Sequence, residues 1–272
     1  MCVPGTRLVD GAATRAAPPK RESTIGQLVE DARDSIARVR RHFAVPKHAV
    51  SLTHTYRAGF PVSVYDPPAR FPLLRRDVEG YYSQGWTIQE HSGTHVDMPA
   101  HFYEGGRTAP ELRPDELLLP VAVIDIGLRA ATDHDCVLGL DDVHRHEREH
   151  GRIPRHAAVL MNSGWQALVG EPARFTGVQR DGSFAFPGFD PAAVTFLIEE
   201  RDIACIGVDT LSLDRGSSTT YPAHQAALSA DRFGIEALAN LDRIPPRGAS
   251  ITLGLVPFEH GSGGPCHVLA RW

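Results

Sequence analysis

A chain of 272 residues that is 42% hydrophobic can bury a large core as one domain or two. Its net charge of −5, with 14 histidines counted neutral, supplies no basic field for DNA or RNA. Cys2, Cys136, Cys205 and Cys266 are widely separated and form no C-x-x-C pair, which excludes a disulfide framework and a thiolate zinc site.

That cysteine usage fits a reducing cytoplasm. No run approaches the roughly 18 apolar residues of a membrane span, and no charged-then-apolar signal pattern opens the chain, so no membrane association is expected. Arg40-Arg41-x-Phe43 is not a twin-arginine signal, because Pro46, Lys47 and His48 stand where an apolar region should follow.

Residues 1–22, rich in Ala, Gly, Pro and charge without periodicity, read as a flexible tail. From Ser23, Ile25, Leu28, Val29, Ala32, Ile36, Val39 and Phe43 recur at three- and four-residue steps, which predicts an amphipathic helix within a 23–48 attachment segment. That helix offers a contact surface for a homodimer or higher homo-oligomer, the base-rate assembly. The remaining 49–272 read as one catalytic domain, opening at Ser51 in short strands punctuated by Gly59, Pro61, Pro67 and Pro68.

The stretch His91-Ser-Gly-Thr-His95-Val-Asp97-Met-Pro99-Ala-His101 is the chemical centre of the sequence. Imidazole and carboxylate are donors that Zn²⁺ or Mn²⁺ accept. All four positions share one parity, yet a fully extended strand would spread them over roughly 33 Å, too wide for one site. The chain must therefore curl, and Gly93 and Pro99 suit a strand ending in a bend. Gly93 with the β-branched Thr94 and Val96 argues against a helix here.

Further on, Leu119–Ile126 and Ala157–Met161 read as buried strands. Between them His146-Glu147-Arg148-Glu149-His150 matches the zinc-protease pattern H-E-x-x-H, but its neighbours are polar on nearly every side, so a solvated helix is expected. Residues 170–186 read as a surface excursion. Asp190-Pro191 starts a helix toward Glu200, Ile203–Val208 is a strand, and polar Asp209, Thr210, Ser212 and Asp214 follow at its end, where site residues of α/β folds gather. Glu236 is placed in a helix over 231–241, and Ser250–Val256 in a strand. Strand, helix, strand in this order predicts an α/β arrangement with helices over a mixed sheet.

The full H-x-G-T-H-x-D-x-P-x-H pattern resembles the signature of the metal-dependent cyclase family, which includes bacterial kynurenine formamidases and isatin hydrolases. The similarity continues through Gly207-Val-Asp-Thr-Leu-Ser-Leu-Asp214, His224 and Glu236, across roughly residues 49–272. The resemblance implies the three-layer swivelling β/β/α fold, with His91, His95, Asp97, His224 and Glu236 as ligands of one or two Zn²⁺ or Mn²⁺ ions and His101 as the proton shuttle. In formamidases a Pro-Val-Trp-Pro-Gly-Asp segment supplies a pocket tryptophan. This chain has Pro61-Val-Ser63-Val-Tyr65-Asp66 instead, so Ser63 and Tyr65, with Asp209 and Ser212, are the candidate substrate contacts. Family members also tend to carry Arg where His267 stands.

With no G-x-S-x-G elbow and no cysteine in a catalytic setting, metal-activated water remains as the nucleophile. The implied reaction is hydrolysis of a small amide C–N bond, in N-formylkynurenine or a cyclic amide such as isatin. A cyclase, dehydratase or lactone-forming step on a biosynthetic intermediate is the alternative, and a non-catalytic metal-dependent binding module is the third reading.

Overall fold

The computed structural model describes residues 48–62 and 66–272. The expected tail, the 23–43 helix, Ser63 and Tyr65 lie outside the described residues. Eight strands form the main sheet: β1 (Ala49–Ser51), β4 (His95–Asp97), β5 (Leu118–Asp125), β7 (Ala158–Asn162), β9 (Cys205–Val208), β10 (Phe233–Glu236), β11 (Arg247–Leu255) and β12 (Gly263–Arg271). Their order is β1-β12-β11-β5-β7-β9-β10-β4, and β4 also pairs with β12, so the sheet closes on itself. The run β5-β7-β9-β10 is parallel and the pairings of β11, β12 and β4 are antiparallel, giving a mixed sheet. A hairpin of β2 (Ala69–Leu74) and β3 (Ser83–Thr87) and a short pair of β6 (Val137–Leu138) and β8 (Gly188–Phe189) lie outside it.

Strand alternation sorts the apolar residues into two cores. Leu119, Val121 and Val123 of β5, Leu160 of β7 and Phe233 and Ile235 of β10 point inside the closed sheet, together with Val96, Ile251 and Val268. The intervening Ala122, Ile124, Val159, Met161, Ile206 and Val208 point outward and are covered by helices. Three helices reach eight residues or more among the described residues: α1 (Leu140–His150), α2 (Pro191–Arg201) and α3 (Pro222–Ser229). Two sheet walls around an inner core, with helices over one of them, are the three layers of the β/β/α arrangement. Parallel strands buried on both faces need apolar residues at every position, which is why β5 and β7 read as unbroken apolar runs.

The helix expected from Asp190 is α2, and Asp190 Oδ1 accepts from the Ala192 N–H at 2.8 Å, as an N-cap should. Three expectations change. Glu236 ends strand β10 and is not helical, because alternation puts Phe233 and Ile235 into the inner core, a pattern of period two. The α1 helix is not solvated all round: Asp142, Val143 and His146 are buried, Val143 in the second core and Asp142 held by Arg129 and Arg145. Residues 170–186 are no mere excursion either, since Phe175 and Phe186 pack with Phe60, Trp165 and Ala237. Among the described residues no helix is long and apolar enough to cross a membrane.

Leu160 is fully buried in the inner core. Leu160→Ala is expected to destabilise the fold by about 2–5 kcal/mol, read as a lower denaturant midpoint with an unchanged m-value.

Candidate metal centre

The curl deduced from the sequence is present. Residues 90–94 form bends, Gly93 has a φ of 67°, and only His95–Asp97 is strand before Pro99–His101 makes a single 3₁₀ turn. A side chain at Gly93 would strike the Tyr56 ring. Thr94 explains its place in the motif: its hydroxyl donates to the Ala237 carbonyl at 2.6 Å and accepts from the His54 N–H at 3.0 Å. The first of these bonds helps hold Ala237 at a φ of 50°, directly after Glu236.

Register then assembles the site. Antiparallel pairing sets Glu236 opposite His95, so both side chains emerge on one face as direct neighbours. Asp97 lies between Gly234 of β10 and Gly263 of β12. With no side chain at either flank, the space around its carboxylate is left to histidines. At Gly263 a side chain would run into the Val96 carbonyl and the His91 ring, which accounts for the glycine there.

All five expected ligands converge on this point. His91 Nδ1 donates to Asp97 Oδ1 at 2.6 Å, and its Nε2 is 2.9 Å from Ser262 Oγ, which donates to Glu90. His95 Nδ1 donates to the Gly93 carbonyl at 2.9 Å, which turns Nε2 toward Asp97 Oδ1 at 3.2 Å and Glu236 Oε2 at 3.4 Å. His224, on the first turn of α3, donates from Nδ1 to Asp214 Oδ2 at 2.7 Å and aims Nε2 at Glu236 Oε1 at 3.1 Å and Asp97 Oδ2 at 3.6 Å. Asp214 also accepts the backbone N–H groups of Ala223 and His224. It therefore fixes the helix end and the imidazole tautomer together.

Two groupings share Asp97. His95, Asp97 and Glu236 can each offer an atom within 4.8 Å of the others, and so can His91, Asp97 and His101. His101 stacks on His91 with ring centroids 3.8 Å apart. His101, expected as the proton shuttle, is thus within ligand range itself.

The buried carboxylates draw protons onto the histidines around them. Burial and the Asp97 carboxylate raise the pKa of Glu236. Burial works to lower His95, but Asp97 and Glu236 outweigh it and lift the imidazole to about 9. His224 is likewise driven well up, against its burial, by Asp214, Asp97 and Glu236. Yet His95 Nε2 and Asp97 Oδ2 are buried with no hydrogen-bond partner. Buried orphan atoms of a histidine and a carboxylate facing one point fit a divalent ion with N and O ligands, so the residues present fit Zn²⁺ or Mn²⁺. His101 contrasts with them. Burial lowers it, Asp97 opposes this, and His91 and His224 push down again, leaving a pKa of about 4 and a neutral imidazole at pH 7.

Beside the cluster opens a cavity walled by Val62, Phe102, Phe184, Phe186 and Leu211, with Arg215 as its cation among the described lining residues. Ser212 lines it as expected. Asp209 does not: it is fully buried and accepts from Ser163 Oγ at 2.5 Å and from the Ser163 and Gln166 N–H groups, tying loops together away from the cavity. His267, on β12, is also apart, hydrogen-bonded to Ser51 of β1. Sequence reasoning missed Phe102, Phe184, Phe186 and Arg215. Two phenylalanines so close together in an otherwise polar 170–186 segment were the available signal.

The H-E-x-x-H segment holds no protease centre. Glu147, which would have to be the base, is gripped by Arg201 through two bonds of 2.7 and 2.9 Å.

The chain is similar to known proteins along most of its length. The family model named cyclase matches residues 50–215. Isatin hydrolase of Roseibium aggregatum is 33% identical over 200 residues, spanning 70% of this chain and 75% of that protein. Kynurenine formamidase of Salinibacter ruber is 26% identical, spanning 68% and 77%. The solved isatin hydrolase A from Ralstonia solanacearum superposes with a TM-score of 0.78 at 31% identity, covering 95% of this chain and 99% of that one.

Removing the group that orients His224 should show in metal affinity. Asp214→Ala is expected to weaken Zn²⁺ or Mn²⁺ binding about 10- to 100-fold in a competition titration, with the remaining ligands in place.

Proposed function

Because the chain belongs to the cyclase family, we propose that it is a metal-dependent hydrolase that cleaves the C–N bond of a small amide, an aryl formamide such as N-formylkynurenine or a cyclic amide such as isatin. The observation that carries the reading is the pairing of orphaned His95 Nε2 and Asp97 Oδ2 with a neutral imidazole, His101, next to an aromatic-walled cavity. His91, His95, Asp97, His224 and Glu236 would hold Zn²⁺ or Mn²⁺, which when bound acidifies water and polarises a carbonyl.

The chain's own groups account for the rest. Phe102, Phe184 and Phe186 present rings against which a flat aryl amide stacks, shedding water from its faces. That places the amide carbon over the carboxylate and histidine floor. An imidazole nitrogen of His101 takes the proton of the attacking water as the C–O bond forms. The same nitrogen then delivers that proton to the amide nitrogen as the C–N bond breaks, leaving a carboxylic acid and an amine. His101 suits this because its imidazole lines the cavity beside His91 and Asp97. Ser262 and Glu90 hold His91 from behind, and Asp214 holds His224, so the ligands are oriented before substrate arrives.

Two variants test the reading. His95→Ala is expected to retain almost no metal by elemental analysis. His101→Ala is expected to keep its metal and its fold while losing roughly 10²- to 10⁴-fold in kcat/KM on formamides and cyclic amides. Loss of metal in His101→Ala would reassign that residue as a ligand alongside His91 and Asp97. No amide turnover by the fully loaded wild type, with turnover of hydroxy-acid or lactone precursors instead, would replace the hydrolase with the cyclase or dehydratase alternative.

A further inference from the structure

A second cavity, of about 290 Å³, opens beyond the carboxyl ends of the adjacent parallel strands β5 and β7. Crevices there are where α/β sheets place ligands. On its wall lies Asn162, the last residue of β7 and only 6% exposed. Asn162 Nδ2 donates to Asp125 Oδ2 at 2.7 Å, and because a carboxylate only accepts, this fixes the orientation of the amide. The opposite atom, Oδ1, is buried with no partner. A buried acceptor in that state is made for a donor in the cavity.

His146 and His150 of α1 line the same cavity, one helical turn apart, with ring centroids 5.0 Å from each other. Two imidazoles at i and i+4 on one helix face converge on a single ion. His146 is 5% exposed, so its ring is held in the wall of the cavity. Carboxylates of Asp125, Glu149 and Asp242 face the space as well. The cations nearby are committed elsewhere: Arg145 pairs with Asp142 at 2.9 Å, and Arg247 donates to the His150 carbonyl at 2.7 Å.

From these observations we infer that this cavity is a second metal site, distinct from the His91–Glu236 centre, which takes one hydrated divalent transition ion of the Zn²⁺ class. His146 and His150 are its two protein ligands. Water completes the coordination and donates to Asn162 Oδ1 and the surrounding carboxylates. The site binds without cleaving, since Glu147 is occupied by Arg201.

The experiment counts ions, and it stands whether or not the hydrolase reading does. Full-length wild type, His150→Gln, His146→Gln and His95→Ala are stripped with chelator, titrated calorimetrically with Zn²⁺, and checked for folding by circular dichroism. The His150 side chain is 35% exposed, so its replacement leaves the fold intact even if His146→Gln does not. His150→Gln is expected to take up one Zn²⁺ fewer per chain than the wild type while keeping the ion that His95→Ala loses. Equal stoichiometry and affinity in wild type and His150→Gln would overturn the inference, the cavity then holding water only. A loss confined to His95→Ala gives that result while leaving the first centre standing.

Discussion

Two carboxylates buried together demand positive charge, and the structure is arranged around that demand. Asp97 is 1% exposed and Glu236 5%. Taking such groups out of water costs several kcal/mol each unless they are paired. Three histidines are therefore brought to them, and each has its second nitrogen engaged: His91 by Ser262, His95 by the Gly93 carbonyl, His224 by Asp214. The inward nitrogens are thereby fixed in direction. Groups oriented in this way can meet a cation without first reorganising.

The closed sheet is what brings these groups within reach. Strand β4 has only three residues, yet it pairs with β10 on one side and β12 on the other, so the candidate metal centre sits on the seam where the sheet closes. Slipping either pairing by one residue would send His95 and Asp97 into the inner core and Val96 out to the ligands. Val96 in the inner core thus enforces the register on which the chemistry depends. Core packing and the candidate metal site are specified by the same three residues.

Much of this was legible in the sequence, and the rest was not for identifiable reasons. The spacing of His91, His95, Asp97 and His101 demanded a curl, and Gly93 and Pro99 supplied it. Apolar runs revealed β5 and β7, and the Asp190-Pro191 pair revealed α2. Glu236 was misplaced because Glu-Ala-Leu-Ala-Asn-Leu favours helix locally, while the pairings with β9 and β4 that make it a strand come from residues far away in the chain. Strand β12 went unread for the same reason. Asp209 looked like a site residue because it ends a strand, but polarity at a strand end does not distinguish a cavity wall from a buried tie between loops. Phe184 and Phe186 belong to an irregular segment, where no period marks which side chains turn inward.

The two histidine motifs show what decides whether such a pattern becomes chemistry. Both offer imidazoles at a spacing of four, and both include an acidic residue. At His91–His101 the carboxylate, Asp97, is flanked by glycines and surrounded by histidines, so its charge is left for an ion. At His146–His150 the corresponding Glu147 faces Arg201, whose guanidinium satisfies both oxygens and holds the carboxylate below its usual pKa. A base neutralised in this way cannot accept a proton from water. The difference lies in which residue the fold places opposite the acid, and a local motif carries no information about that.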